Sequence, residues 1–308
     1  MNYDSVLLIA FGGPEKFEDV RPFLANVLRG RRISPERIEA VVQQYRAIGG
    51  SSPLNEITFR QAAALQIELG REGPGLNVYV GMRNWNPTLA DTLSLMKREG
   101  KRRSLGIVLA PHRCEASWER YLEAVSEAQE AAGPGAPEID FSAPWHLNPL
   151  FIEAAAARVR ETLQLFPEAA ESPWIFTAHS IPVPMDEASG YSRQIRESAA
   201  QIAARFSKEN YSLAYQSRSG LPQDPWLEPD ISDSIRALAL GKEKSVLAVP
   251  VGFVADHVEV LYDLDIKAKK SAEGLGLRFF RAGTVGHHPQ FIRMLAQIAS
   301  SQSVVPSR

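Results

Sequence analysis

A short stretch near residue 250 concentrates side chains that could bind a metal ion. Asp256, His257, Glu259 and Asp263 follow an apolar run, Ser245–Val251, that is typical of a buried strand. Glu259 and Asp263 are four residues apart and would share one face of a helix. Two like charges so placed cost about 0.2–0.5 kcal/mol unless a cation lies between them. The stretch therefore indicates either a site for a divalent cation or a solvated acidic helix start, because Asp and Glu favour the first turn of a helix.

His179 is the second candidate for chemistry. It follows an apolar strand predicted over Trp174–Thr177, within the segment Thr177–Pro182. Taken alone, a histidine in this position is more often a hydrogen-bonded core residue. Together with Glu259, at the matching strand end of the same half, it favours a site for first-row divalent iron, which accepts nitrogen and oxygen ligands. Two protein ligands leave most coordination positions open, and this suits a metal in transit better than a structural metal.

The other histidines and the cysteine are predicted to have structural roles. His112 lies at another strand end and His146 follows Pro-Trp, and each is expected to be a core residue. His287 and His288 precede a proline, which predicts a helix cap or a surface role. Cys114 is expected to be a small buried thiol, since nothing around it suggests a nucleophile.

The elements that position these residues are predicted from periodicity. Apolar runs typical of strands cover Ser5–Ala10, Val78–Gly81, Leu105–Leu109, Trp174–Thr177, Ser212–Tyr215, Ser245–Val251 and Arg278–Phe280. Helical periodicity covers Pro87–Arg98, a helix from Pro149 capped by Asn148, Tyr191–Phe206, Ile231–Leu240 capped by Asp230, and Pro289–Ala299. Uniformly apolar strands that alternate with amphipathic helices predict an α/β fold with parallel sheets covered by helices on both faces.

The seven strands could form one sheet, but a change in composition over residues 131–144 favours two halves of three or four strands each. Ligands bind outside the carboxyl ends of strands in open α/β sheets. The segments at those ends are Gly, Pro, aromatic or polar, which predicts a large cleft with apolar walls. No G-x-G-x-x-G run or Walker A motif occurs, so nucleotide binding has no support in the sequence.

Composition limits the class of protein. The chain has 308 residues, of which 44% are hydrophobic and 23% charged, with a net charge of −2 and a pI near 6.3. These values predict a soluble globular protein without the basic footprint of a nucleic-acid binder. A single cysteine excludes an internal disulfide and fits a reducing cytoplasm. No signal peptide is expected, and no apolar run approaches the ~18 residues of a membrane span. The predicted location is cytoplasmic.

With these residues assembled, the sequence resembles the ferrochelatase family over almost its whole length, and is most similar to the actinobacterial-type branch associated with coproporphyrin III. The motifs that carry the resemblance are Leu8-Ile-Ala-Phe-Gly-Gly-Pro14, Tyr45-Arg-Ala-Ile-Gly-Gly-Ser-Ser-Pro-Leu54, Thr177-Ala-His-Ser-Ile-Pro182, Gln216-Ser-Arg-Ser-Gly220, Trp226-Leu-Glu-Pro-Asp230 and Gly252-Phe-Val-Ala-Asp-His-Val-Glu-Val-Leu-Tyr-Asp263.

The resemblance implies two Rossmann-like domains with a cleft between them. They would cover residues 1–143, joined by a C-terminal helix over 288–308, and residues 144–287, which carry the metal site. The metal-site histidine and glutamate of the family fall on His179 and Glu259. The acidic line beyond them continues at Asp263, and the next position is Lys267. Iron–sulfur clusters of some relatives need several cysteines, so none is expected here.

The resemblance also implies contacts to a porphyrin. The positions in the coproporphyrin branch are Phe11, Arg29, Tyr45, Ser52 and Tyr121, with Arg29 near the propionates. Phe11 is a departure, because some members have at this position a tyrosine that can ligate the product iron. Two further arginine positions read Leu28 and Gln44, so the propionate contacts must differ.

The predicted function is insertion of Fe²⁺ into a porphyrin during heme biosynthesis, with coproporphyrin III as the favoured substrate. Protoporphyrin IX is the alternative substrate. A non-catalytic tetrapyrrole carrier, a cobalt or nickel chelatase, and a sugar-nucleotide or dinucleotide enzyme are more distant alternatives. Iron and porphyrin would be substrates, with no permanently bound cofactor. A monomer that hands its product transiently to the next enzyme is expected.

Overall fold

The chain folds into two compact units. The computed structural model describes residues 3–30, 33–72, 75–220, 223–301 and 304–305. Unit 1 comprises Met1–Ala110, Glu115–Pro144 and His287–Arg308, and unit 2 comprises Pro111–Cys114 and Trp145–Gly286. Each unit is built on its own mainly parallel sheet flanked by helices, which is the predicted α/β class.

The strands are short and mostly buried. They are β1 (Ser5–Ala10), β2 (Asn77–Met82), β3 (Arg103–Val108), β4 (Glu138–Ser142), β5 (Trp174–His179), β6 (Tyr211–Gln216), β7 (Ser245–Val249), β8 (Arg278–Arg281) and β9 (Val304–Val305).

The helices alternate with these strands. They are α1 (Val20–Val27), α2 (Pro35–Ala47), α3 (Leu54–Glu72), α4 (Leu89–Arg98), α5 (Glu119–Ala132), α6 (Pro149–Leu165), α7 (Val183–Ser189), α8 (Tyr191–Ala204), α9 (Ile231–Leu240), α10 (Val258–Leu261), α11 (Lys269–Gly274) and α12 (Pro289–Ser300). A π-helical segment, Asp263–Ala268, lies between α10 and α11. No helix of the described residues is long and apolar enough to span a membrane.

The sheet of unit 1 has the order β2-β1-β3-β4-β9. Its first four strands are parallel, and β9 adds an antiparallel edge through the register Phe141↔Val305. Every residue of β1 is buried, because helices cover both faces of the sheet. The uniformly apolar sequence of this strand is therefore explained by burial on both sides.

The sheet of unit 2 has the order β6-β5-β7-β8, and all four strands are parallel. β5 lies between β6 and β7, and its last residue, His179, is in register with Gln216. Trp174, Phe176 and the adjacent β7 are buried, so the central strands are fixed by packing on both faces. The carboxyl ends of β6, β5 and β7 therefore lie side by side.

Most predicted element boundaries agree with the structure within two residues. Three predicted caps are confirmed: the side chain of Asn148 accepts from Leu150 N (2.9 Å), Asp230 from Ser232 N (2.8 Å) and His288 from Gln290 N (3.2 Å). Each satisfies an amide that the first turn of a helix leaves without an intrahelical partner.

Two strands were not predicted. β4 lies inside the stretch taken as a change in composition, because only part of this short strand is apolar and Asp140 accepts from Arg103 Nε (2.7 Å). The predicted C-terminal helix over 288–308 ends at Ser300, and β9 follows it. Propensity and periodicity give little signal for strands this short.

One segment belongs to a different unit from the one predicted. Residues 111–114 were assigned to the N-terminal domain, but they form part of unit 2. His112 Nε2 lies 3.0 Å from Ser198 Oγ, and Arg113 N donates to Gln194 Oε1 (2.8 Å), both on α8. These long-range contacts leave no local trace in the sequence.

Candidate metal centre

Three adjacent strand ends of unit 2 supply the candidate site. β5 ends at His179, β6 ends at Gln216 next to Ser217, and the chain leaving β7 leads to Glu259 in the first turn of α10. Parallel strands bring these residues to one edge of the sheet. The site is therefore assembled from residues that are far apart in the sequence.

Gly252 allows the segment after β7 to approach β5. Its amide donates to Thr177 O (3.0 Å). A Cβ at this position would lie 2.6 Å from Ala178 Cβ and 2.7 Å from Ala178 Cα, closer than such atoms approach. A glycine is thus required for the chain that carries Glu259 to pack beside His179.

His179 presents Nε2 to a carboxylate. Its Nδ1 lies within hydrogen-bonding distance of Ser180 O, and because a carbonyl can only accept, Nδ1–H is the donor. Nε2 is 3.5 Å from Glu259 Oε1. A backbone bond on one ring nitrogen fixes the tautomer and aims the other nitrogen, the arrangement commonly found in metal-binding histidines.

Glu259 lies between two imidazoles. Its Oε2 is 3.3 Å from His257 Nε2, and His257 Nδ1 lies 3.2 Å from Ala255 O. The side chains of His179 and Glu259 are 29% and 34% exposed, so solvent and a small ion can reach both. Glu259, which could have been a solvated acid at the start of a helix, is therefore held between two histidines and is not fully solvated.

The electrostatics of this pair favour the charged form of each partner. Burial alone would lower the pKa of His179, but the Glu259 carboxylate and the hydrogen bond to Ser180 O outweigh burial and raise the pKa to about 9. Burial would raise the pKa of Glu259, but His179 and His257 hold it well below its usual range. In the absence of metal, the pair is an imidazolium and a carboxylate at neutral pH.

The spacing of the pair suits one metal ion. Ligands at about 2.0–2.2 Å from a first-row divalent ion, separated by about 90–110°, lie about 3.0–3.5 Å apart. The Nε2–Oε1 distance of 3.5 Å is at the upper end of that range. An ion could replace the shared proton without a large movement of either residue.

Asp263 extends the site along the helix. It is buried, and the Ser217 hydroxyl donates to its Oδ2. Burial and the nearby Glu259 charge raise the pKa of Asp263, although the hydrogen bond from Ser217 and the charge of Lys267 act in the opposite direction. Asp263 therefore has a neutral hydrogen-bond donor as its direct partner.

The helix that carries these acids is not a regular α-helix. α10 spans only Val258–Leu261, and the π-helical segment begins at Asp263, with Lys267 N donating to Tyr262 O (2.8 Å). The sequence predicted an ordinary helix here. π-helical turns are rare and frequently occur at functional sites.

Two residues of β6 and its following turn were missed as members of the site. Gln216 is buried, and its Nε2 donates to the backbone oxygen of Glu259. Ser217 has a φ of +61°, a left-handed conformation that is uncommon for residues other than glycine. This turn aims the Ser217 hydroxyl at Asp263. Residues 216–220 had been predicted to lie at the end of a strand, but neither Gln216 nor Ser217 had been assigned a role.

The predicted porphyrin contacts lie in unit 1. Phe11 is 36% exposed at the end of β1, whereas Tyr45, Ser52 and Tyr121 are buried. Arg29 is exposed, and its Nη2 donates to Asn26 Oδ1 (3.2 Å). These assignments stay predictions.

An aromatic cluster surrounds Phe23 in unit 1. The rings of Phe11, Tyr45 and Trp85 lie 6.1–6.2 Å from the ring of Phe23 in edge-to-face geometry. Such packing fixes rings that offer flat apolar surface. Phe23 and Trp85 had not been assigned a functional role from the sequence.

The two sheets, each flanked by helices, define a two-unit α/β architecture that is also found in chelatases. A solved structure of the sirohydrochlorin chelatase SirB from Bacillus subtilis subspecies spizizenii, in complex with cobalt, resembles this chain with a TM-score of 0.57. That likeness covers 99% of this chain and 100% of SirB at 10% identity, so it supports the fold alone.

Sequence comparison identifies the particular family. The ferrochelatase family model matches residues 3–303. The coproporphyrin III ferrochelatase of Mycobacterium avium is 43% identical over 301 residues, covering 97% of this chain and 88% of the relative. The ferrochelatase of Rhodopirellula baltica is 41% identical over 302 residues, covering 97% and 86%. The chain belongs to the ferrochelatase family, whose members are enzymes that insert a metal ion into a porphyrin in heme biosynthesis. The family predicted from the motifs is thus confirmed.

Proposed function

We propose that this chain inserts Fe²⁺ into coproporphyrin III and that His179 and Glu259 are the residues that carry the metal. The observation that supports the site is the approach of His179 Nε2 to Glu259 Oε1, at 3.5 Å. The proposed porphyrin follows from the relatives, since the protein from Mycobacterium avium is a coproporphyrin III ferrochelatase.

Insertion must remove two pyrrole protons from the ring and deliver the metal to one of its faces. Fe²⁺ first displaces to solvent the proton that His179 and Glu259 share, because Nε2 binds a metal only when it is deprotonated. When the ion moves onto the ring nitrogens, Nε2 is free again. Its pKa of about 9 suits it to accept the first pyrrole proton. The second proton leaves to solvent by way of the partly exposed Glu259 carboxylate.

A flat macrocycle shields its nitrogens from the metal. Bending it costs about 1–5 kcal/mol, which must come from contacts elsewhere on the ring. We assign those contacts to Phe11, Arg29, Tyr45, Ser52 and Tyr121. Because Phe11 has no oxygen, it cannot ligate the product iron as a tyrosine would.

The remaining functional assignments follow the same proposal. Iron and porphyrin are substrates, and the chain has no permanently bound cofactor. It works in the cytoplasm as a monomer and hands its product transiently to the next enzyme of the pathway.

Anaerobic turnover with Fe²⁺ tests the proposed substrate. We expect faster insertion into coproporphyrin III than into protoporphyrin IX, followed by the absorbance of each product. A preference for protoporphyrin IX would replace the proposed substrate with the alternative one. Binding of both porphyrins without insertion into either would indicate a tetrapyrrole carrier.

The variant His179→Ala tests the proposed site in the same assay. We expect it to fold, to bind porphyrin with unchanged affinity and to lose insertion by about 10²–10⁴-fold, the usual contribution of a positioned base. Insertion at the wild-type rate would remove His179 from the mechanism.

A further inference from the structure

One arginine of unit 2 binds carboxylates on both sides of the metal-site residues. Arg281, the last residue of β8, donates from Nε and Nη2 to Asp265 at 2.6 and 2.8 Å. Its Nη1 and Nη2 also donate to Asp256, both at 3.3 Å. Asp256 precedes Glu259 by three residues and Asp265 follows Asp263 by two. A single guanidinium therefore links the two ends of the segment that carries both site carboxylates.

The link is largely shielded from solvent. The side chain of Arg281 is 16% exposed, and Thr284 Oγ1 donates to Asp256 Oδ1 (3.0 Å). Burial opposes the charge of Arg281, but hydrogen bonding to Asp265 and the two carboxylate charges raise its pKa. Without the guanidinium, Asp256 and Asp265 would face each other as like charges and would separate.

The segment needs such a link because its short helical turns do little to stabilise one backbone conformation. α10 has one turn, and helices this short are not stable on their own. The π-helical segment that follows is a rare conformation, which occurs mostly as single turns inside α-helices. A partly buried ion pair adds little net stability, but it can select one conformation among several.

We propose that Arg281 is a positioning residue for metal insertion, which holds the Glu259 carboxylate at its distance from His179 by joining Asp256 to Asp265. This inference rests on the proposed function of His179 and Glu259. Arg281 itself touches neither substrate. Replacing Arg281 is expected to weaken metal binding and to leave the affinity for porphyrin unchanged.

Arg281→Lys is the first test. Lysine keeps the charge but cannot donate to two carboxylates with a planar fork. We expect the KM for Fe²⁺ and the dissociation constant for Zn²⁺, measured by calorimetry without porphyrin, to rise about tenfold, at the lower end of what loss of a supporting contact costs a metal site. The KM for porphyrin should stay the same.

Arg278→Lys is the matched control. Arg278 lies on the same strand and donates to Glu168 at 2.7 Å, but its side chain is 65% exposed. A surface pair of this kind contributes little. In this variant we expect the KM for Fe²⁺, the dissociation constant for Zn²⁺ and the KM for porphyrin to equal those of the wild type.

A third variant separates positioning from general stability. Arg281→Met combined with Asp256→Asn and Asp265→Asn removes the link and also the repulsion that its loss creates. We expect an unfolding temperature closer to the wild type than that of Arg281→Met alone, with the Zn²⁺ dissociation constant still raised. A Zn²⁺ affinity that recovers together with the unfolding temperature would overturn the proposal, as would wild-type metal constants in Arg281→Lys. If the wild type inserts no metal, the proposed function fails, whereas the Zn²⁺ titration still decides the role of Arg281.

Discussion

Two pairs of carboxylates lie along the same segment of unit 2, residues 256–265, and their surroundings differ. Asp256 and Asp265 both accept from Arg281, at 2.6–3.3 Å. Glu259 and Asp263 have histidines and a serine hydroxyl as partners, and among the described residues no arginine or lysine lies within ion-pair distance of them.

The comparison indicates that the partner of an acid limits the roles that this acid can take. A carboxylate neutralised by a guanidinium has its charge satisfied and offers little to a metal. A carboxylate beside an imidazole shares a proton that a metal ion can replace. Perturbed acid–base pairs of the second kind are typical of functional sites. On the proposed function, four acids close together in sequence would divide into two that shape the segment and two that face the chemistry.

Glu259→Gln gives the largest expected effect. Glutamine keeps the shape of the side chain but cannot hold a metal charge, so insertion should fall by about 10²–10⁴-fold while porphyrin affinity changes little. Insertion assays with Fe²⁺ and porphyrin titrations measure the two effects separately.

Glu197→Gln is the control for that variant. Glu197 Oε2 lies 3.0 Å from His146 Nε2, so this pair has the same chemistry in another part of unit 2. Its removal should leave insertion unchanged. Equal losses in the two variants, or a Glu259→Gln protein that no longer binds porphyrin, would contradict the division of roles.

The dependence of metal binding on pH gives the next largest effect. His179 has a pKa of about 9 in the metal-free protein, so below that pH each ion must displace a proton. We expect Zn²⁺ affinity to rise about tenfold per pH unit between pH 6.5 and 8.5, measured by calorimetry. In Glu259→Gln the pKa of His179 should fall, so the rise of Zn²⁺ affinity with pH should end at a lower pH.

The same shift predicts how stability depends on pH. Because the folded protein binds the His179 proton more tightly than the unfolded chain, the contribution of this pair is present below about pH 6.5, the ordinary value for histidine. It is lost as the pH rises through about 9. As the pH rises over this range, the unfolding temperature of the metal-free wild type should therefore fall more than that of His179→Ala. If the unfolding temperatures of the two proteins depend on pH in the same way, the raised pKa of His179 would be refuted.

The smallest effect concerns the stability of the two pairs. Asp265→Asn should lower the free energy of unfolding by about 1–3 kcal/mol, because it removes a charge-assisted acceptor of Arg281. Asp263→Asn should leave it unchanged or raise it, since burial raises the pKa of Asp263 and makes its charge unfavourable in the folded state. Chemical denaturation of both variants checks the contrast. Equal destabilisation would mean that the two acids have equivalent surroundings.

Much of the fold could be predicted from the sequence because buried parallel strands are apolar throughout. β1 coincides with its predicted run, and the caps Asn148 and Asp230 mark their helices. β4 could not be predicted, because its strand character depends on pairing with β3 more than on its own residues. The placement of residues 111–114 depends on contacts with α8, more than 80 residues away.

The candidate site was predicted only in part, for a similar reason. His179 and Glu259 were selected from their positions at strand ends and from the family motif, and the structure brings them together, whereas their binding of a metal stays a prediction. The link from Arg281 to Asp256 and Asp265 could not be predicted, since it exists only after β8 pairs with β7. Ser217 and Gln216 were missed because a serine or a glutamine in a turn gives no chemical signal until its partner is known.

Anomalous diffraction from crystals soaked in Zn²⁺ tests the central claim most directly. We expect one strong peak at about 2.0–2.2 Å from both His179 Nε2 and a Glu259 carboxylate oxygen, with none at Asp256 or Asp265. A peak bound to Asp256 or Asp265, with His179 and Glu259 empty, would contradict it.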